Sequence, residues 1–185
     1  MAAAFLLRSA PEDIDRGVHE MFVERRAMHR YTLPRYSLLD HTHFDRELRR
    51  LYGEGDIEDL WLPFFAVSTN LSRYGPHVHS RGPLWKALRA SASIPVMLPP
   101  VYTELGEMLV DGSLVDNVPV EAMHGLKYGP NVVVAFNGGG PERFEVVYEE
   151  LPSRTALLRL AMTPWARKEL PDAPGLASVL MRSLM

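Results

Sequence analysis

Between Pro63 and Phe136 the hydrophobic period changes four times, and this alternation restricts the chain to few architectures. Phe64 to Leu71 (FFAVSTNL) is rich in aromatic and β-branched residues behind a proline, which predicts a buried strand. Leu84, Trp85, Leu88 and Ala92 then recur at helical spacing, from Pro83 to a stop before Pro95. Tyr102 to Glu104 and Met108 to Asp111 flank Gly106 as a hairpin would, Pro119 opens a short helix through His124, and Val132 to Phe136 (VVVAF) reads as a second buried strand. Strand, helix, hairpin, helix, strand is the order of an α/β layer fold, a central sheet with flanking helices.

Two helices are expected upstream of this stretch. Ser9 and Glu12 have capping-box spacing ahead of Ile14, Val18, Met21 and Phe22, predicting a helix from about Pro11 to Arg30. Thr42 and Asp45 repeat that spacing ahead of Phe44, Leu48 and Leu51, with Gly53 as a stop. Beyond Gly140 the pattern changes: Pro152, Pro164, Pro171 and Pro174 punctuate Leu157 to Met162 and Leu176 to Met185. The expected division is therefore 1–140 as the main domain portion and 141–185 as a helical extension.

Composition removes several function classes. With 46% hydrophobic and 23% charged residues in 185, the chain fits one domain with its own core. A net charge of −3 gives no general field for nucleic acid or for an anionic membrane surface, so no nucleic-acid partner is expected. The absence of cysteine excludes disulfides, thiolate metal sites and a cysteine nucleophile. The longest apolar run, Leu60 to Val67, is broken by Pro63 and falls short of the about 20 residues a bilayer span needs. Met1 to Leu7 (MAAAFLL) lacks the basic lead and cleavage site of a signal peptide. A cytoplasmic or peripherally membrane-associated location is expected.

The informative stretch is Trp85 to Val120. Its run Ala90-Ser91-Ala92-Ser93-Ile94-Pro95, the Pro99-Pro100 pair, and Val110-Asp111-Gly112 followed by Asn117-Val118-Pro119-Val120 resemble the second conserved block of patatin-like phospholipases. Ile57 to Leu62 (IEDLWL) and Ser68 to Ser72 (STNLS) resemble the bacterial and neuropathy-target-esterase branch of that family. The resemblance covers about Ile57 to Phe136. It implies a partial patatin-like α/β hydrolase layer and a serine–aspartate dyad without histidine, cleaving acyl esters of phospholipids or lysophospholipids. The dyad aspartate of the family opens an Asp-Gly-Gly or Asp-Gly-Ala motif, which Asp111 and Gly112 match. Ser113 departs from the third position. Gly112, Ser113, Asn117 and Pro119 are the motif-supporting residues, and no cofactor or metal is expected.

Chemistry makes a strict demand on such an aspartate. With a reference pKa of about 3.9, a carboxylate is a weak base toward a serine hydroxyl, so position must compensate for basicity. A glycine after it can adopt positive φ and turn the chain sharply out of a strand, leaving the carboxylate in a cleft. Asp-Gly is also a common turn in its own right.

An absence weighs against activity of this chain alone. The family nucleophile sits in Gly-x-Ser-x-Gly, a strand-to-helix elbow preceded by a glycine-rich oxyanion loop. No serine of this sequence has that setting. The small apolar residues of Met1 to Leu7 resemble the helix that follows the elbow, so the chain is expected to lack the nucleophile-bearing part and to be an inactive fragment or pseudoenzyme by itself.

Four other constellations compete. His41-Thr42-His43-Phe44-Asp45 resembles the His-x-His-x-Asp of binuclear metallohydrolases, but Arg46 stands where a further histidine belongs and Thr42 and Asp45 are expected to cap a helix. His77 and His79 share a strand face and are expected at the surface. Asn137 to Gly140 matches no phosphate-loop pattern. Trp165 with Leu157, Leu158, Leu160 and Met162 makes a stripe suited to core packing or to peripheral membrane contact.

Overall fold

The computed structural model describes residues 2–7, 9–126, 129–134, 152–153, 155–157 and 179. The chain divides into two compact units, Met1–Val133 and Val134–Met185, and the first carries every element named below. The expected tail helices, Trp165 and the Asn137–Gly140 exit lie almost entirely outside the described residues.

Helix α1 (Ala2–Leu6) buries Ala3 and Ala4. Helix α2 (Pro11–His19) starts with proline at its first position and with Glu12 and Asp13 in its first turn, where the helix dipole favours negative charge. Its N-cap is Ala10 without a side-chain cap, so the expected Ser9–Glu12 capping box does not form. Nor does the helix reach Arg30. It widens into a π-helical turn, Glu20–Glu24, and Arg26 then leaves at φ 49°.

Helix α3 (His41–Tyr52) is capped two residues earlier than expected, by Asp40 and not Thr42. Asp40 accepts hydrogen bonds from the Thr42 amide (3.0 Å) and hydroxyl (2.8 Å), and these hold its carboxyl below the usual range. Asp45, freed from capping, takes a tertiary partner described below. The helix stops at Gly53, whose φ of 75° suits glycine. Its buried face, Phe44, Leu48 and Tyr52, meets helix α4 (Leu84–Ser91), which begins after Pro83 as expected.

The sheet has four strands: β1 (Ala66–Asn70), β2 (Gly75–His79), β3 (Val101–Tyr102) and β4 (Met108–Asp111), in the order β2-β1-β4-β3 with every pair antiparallel. All five residues of β1 are buried. The Asn70 side chain closes the turn to β2 by accepting from the amides of Ser72 and Arg73 at 2.9 and 3.0 Å, an Asx-turn. Gly106, at φ 77°, closes the β3–β4 hairpin, with the Gly106 amide donating to the Thr103 carbonyl at 3.0 Å. Helix α4 packs against β1 and β4, and α5 (Val120–Leu126) follows Pro119.

One strand was not in the expected order, and the described part of one expected strand, residues 132–134, is not a strand. Gly75–His79 pairs along its whole length with β1 despite Pro76. Val132 to Val134 is not a buried strand: Val132 is 90% exposed, Val134 is 76% exposed, and neither belongs to a strand. Three successive valines carry no period that separates a buried strand from an exposed extended segment.

Candidate active site

Asp111 closes β4, opposite Ser68 of β1, and starts the 3-10 turn Gly112–Leu114. Its Oδ1 accepts both the amide and the hydroxyl of Ser113, each at 2.9 Å. Oδ2 has no hydrogen-bond partner among the described residues. The third motif position, where serine replaces the small residue of the family pattern, is thus a second clamp on the carboxylate rather than a neutral replacement.

Gly112 does not act through positive φ, contrary to the sequence expectation. A Cβ built on it would stand 2.4 Å from the Val67 carbonyl oxygen. The absent side chain lets the turn after β4 press on the β1 backbone, so glycine is required by close approach.

Asp111, Gly112, Ser113, Asn117 and Pro119, the five residues selected from sequence, line one open groove of about 310 Å³. Phe64, Phe65, Val67 and Leu88 give it an apolar wall. Those residues were legible as strand and helix residues, but their meeting at one end of the sheet depends on tertiary contacts.

A buried cation lies next in sequence to Leu88 of the groove wall. Arg89 of α4 is only 2% exposed and donates to Asp45 Oδ1 (2.7 Å), to the Pro99 carbonyl (3.1 Å) and to the Ser93 hydroxyl, while its guanidinium stacks 5.8 Å from the Phe44 ring centroid. Burial pulls its pKa down and Asp45 opposes that shift; a guanidinium nonetheless remains charged. Ser93, fully buried, returns a hydrogen bond to the Arg89 carbonyl (2.7 Å), and its own carbonyl accepts the Asp111 amide (3.0 Å). Ser93 thus joins the Ala90 to Pro95 run directly to Asp111, and Arg89 ties Ser93 to the carbonyl of Pro99.

The rival constellations have other occupations. Asp45 is engaged by Arg89, the Nε2 of His43 bonds the Arg25 carbonyl at 2.8 Å, and His41 lies 4.0 Å from Asp45. Among the described residues no group of three or more His, Asp or Glu is placed to hold a metal. His77 and His79 share a strand face but are half-buried, not at the surface, with rings edge to face at 4.6 Å. His79 Nε2 bonds the buried Ser68 hydroxyl at 2.8 Å, and burial beside His77 pulls its pKa down to about 4. These two rings line a second cavity, of about 380 Å³, with Lys86 and Ala87 of α4 and Leu109 of β4. No helix among the described residues is long and apolar enough to cross a membrane.

Residues 2–124 match the family described as patatin-like phospholipase. The human Patatin-like phospholipase domain-containing protein 6 is 32% identical over 152 residues, which is 80% of this chain and 11% of that protein. Lysophospholipase nte1 of Aspergillus fumigatus is 39% identical over 108 residues, 58% of this chain and 7% of that protein. Lysophospholipase NTE1 of Meyerozyma guilliermondii is 32% identical over 152 residues, 82% of this chain and 10% of that protein. The chain thus spans about a tenth of the length of the curated relatives it matches.

Proposed function

The chain belongs to the patatin-like phospholipase family, and on that footing we propose that it supplies the aspartate half of a Ser-Asp dyad that hydrolyses acyl esters of lysophospholipids or phospholipids. The observation that carries this reading is the Asp111 carboxylate, with one oxygen fixed by Ser113 and the other without a partner among the described residues, in a groove with an apolar wall.

In the complete site the serine hydroxyl gives its proton to Asp111 as its oxygen attacks the acyl carbonyl carbon. The ester C–O bond then breaks, the glycerol oxygen of the lipid leaves with that proton, and the acyl group stays on serine. Water gives a proton to Asp111 as its oxygen attacks the acyl-serine carbonyl carbon, the bond to the serine oxygen breaks, the fatty acid leaves, and the proton passes from Asp111 back to the serine oxygen. A weak base can serve because two hydrogen bonds to Oδ1 remove the rotational freedom of the carboxylate, so that correct placement replaces basicity. Phe64, Phe65 and Leu88 offer the acyl chain an apolar surface.

A second reading has its own observation. No serine here lies in Gly-x-Ser-x-Gly, which favours a lipid-binding homologue without turnover. The expected behaviour of the purified chain is no turnover of a short-chain nitrophenyl ester and no labelling by a fluorophosphonate. Joining the glycine-rich loop and Gly-x-Ser-x-Gly segment of an active family member ahead of Ala2 is the discriminating experiment. Hydrolysis that appears in this chimera and drops by roughly 10²–10⁴-fold in Asp111→Asn supports the dyad. Hydrolysis indifferent to Asp111→Asn removes Asp111 from the mechanism. A folded chimera that binds lysophospholipid without cleaving it supports the second reading.

A further inference from the structure

The net charge of −3 conceals a local excess of the opposite sign. From Arg25 to Leu39 the sequence contains Arg25, Arg26, Arg30 and Arg35 with His29, and no carboxylate. Arg25 is engaged with Glu47 at 3.6 Å, Arg35 stacks 5.4 Å from the Tyr36 ring centroid, and Arg30 helps to lower the pKa of Asp40, the carboxylate that follows the run; Arg26, Arg30 and Arg35 are nevertheless exposed and make no ion pair among the described residues. Between these arginines stand Tyr31, Leu33 and Tyr36, which are 79%, 86% and 76% exposed.

The loop that presents them is held firmly at its base. Tyr31 and Leu39 form an antiparallel bridge, and the Thr32 amide donates to the Leu38 carbonyl at 2.9 Å. The amides of Leu38 and Leu39 donate to the carbonyls of Val96 and Met97 at 2.8 and 3.0 Å. Leu39 is buried, so the strip is a narrow projection on a packed base. Keeping three large side chains in water forfeits the burial that each could gain.

We propose that this loop docks the protein on an anionic lipid surface, with Leu33, Tyr31 and Tyr36 entering the interfacial zone and Arg26, Arg30 and Arg35 meeting the headgroups. Tyrosine is favoured at that boundary because one end of its ring is apolar and the other wet. Arginine side chains at such a surface contribute through the negative potential of the leaflet. A protein partner fits less well: a stable interface needs 20–30 residues a side, and the exposed strip from His29 to Tyr36 is far smaller. The proposal does not depend on the role of Asp111, since it concerns where the chain sits and not what it cleaves.

The test is co-sedimentation of the whole chain with vesicles of phosphatidylcholine alone and of phosphatidylcholine mixed with phosphatidylserine. Binding is expected to the mixed vesicles only, and to weaken as salt is raised. The Arg26→Gln/Arg30→Gln/Arg35→Gln variant is expected to bind about 100-fold more weakly, three surface charges being removed. Tyr31→Ser/Leu33→Ser/Tyr36→Ser, which keeps every charge, is expected to lose at least about tenfold. All six positions are exposed, and circular dichroism checks that both variants remain folded. Equal binding to both vesicle types, no binding to either, or unchanged binding by either folded variant overturns the proposal. So does a concentration-dependent dimer that Leu33→Ser dissolves, since the loop would then be a contact between copies of the chain.

Discussion

The backbone amide of Asp111 donates to the carbonyl of Ser93, joining the strand that ends in the candidate catalytic carboxylate to the loop that leaves α4. Ser93 is in turn bonded to Arg89, and Arg89 to Asp45 of α3. Helices α3 and α4 and the loop after α4 thus meet on one guanidinium, and Ser93 carries that link to the amide of Asp111.

Removing that guanidinium should be costly. Arg89→Met takes from Asp45 its hydrogen-bonded partner, leaving only His41 at 4.0 Å, and strips the Pro99 carbonyl of a donor, an expected loss of about 3–5 kcal/mol in urea unfolding. Combining it with Asp45→Asn should recover part of that loss, with a coupling of about 1–3 kcal/mol. Additive losses would mean that the pair is not coupled.

Gly112→Ala places a methyl group against the Val67 carbonyl, which belongs to the buried central strand and cannot withdraw. A destabilisation of about 1–3 kcal/mol is expected from the urea midpoint. A neutral result would show that the turn has more space than the 2.4 Å approach allows.

Val96 sits at φ 69°, where a β-branched residue is strained by about 1–2 kcal/mol. It is half exposed, so little burial is lost by removing its side chain. Val96→Gly gives back about 0.5–1 kcal/mol through the entropy of the unfolded chain. The net expectation is a small rise in Tm, and a fall would indicate packing that outweighs the backbone strain.

His79 gives stability a pH dependence with a definite sign. Its pKa falls from 6.5 to about 4 in the folded protein, so between those values the unfolded chain binds more protons. Its contribution is fully present above pH 6.5 and is lost as pH falls toward 4. The ring is part-exposed, which limits the effect to on the order of 2 kcal/mol. Urea melts at several pH values should show this slope flattened in His79→Gln, which retains a hydrogen-bonding group for Ser68. An identical slope in the variant would assign it to other groups.

Much of this was readable from the sequence because the decisive elements are short and bounded by prolines. β1, α4 and the β3–β4 hairpin follow from period and punctuation at Pro63, Pro83, Pro95 and Gly106, and Asp111 follows from its motif at the end of β4. Errors arose where a tertiary partner outweighed a local pattern. Asp45 has capping spacing to Thr42, yet a buried arginine 44 residues away takes it. Gly112 reads as a turn glycine, and only the neighbouring strand reveals that the missing Cβ matters. The basic loop was hidden by summing charge over the chain, since a net value has no spatial content.

The pairing of Ser68 with Asp111 also determines when the groove comes into being. The β1–β2 hairpin closes over the four residues from Leu71 to Tyr74, whereas β1 and β4 join only after the 37 residues from Leu71 to Glu107, which include β2 and α4, have been looped out. Local hairpins form within about 1–10 μs, and the long-range pairing must wait for them and for α4. Asp111 is therefore placed late, in the step that completes the sheet, and amide exchange in β4 should be lost with the global transition and not by local fraying.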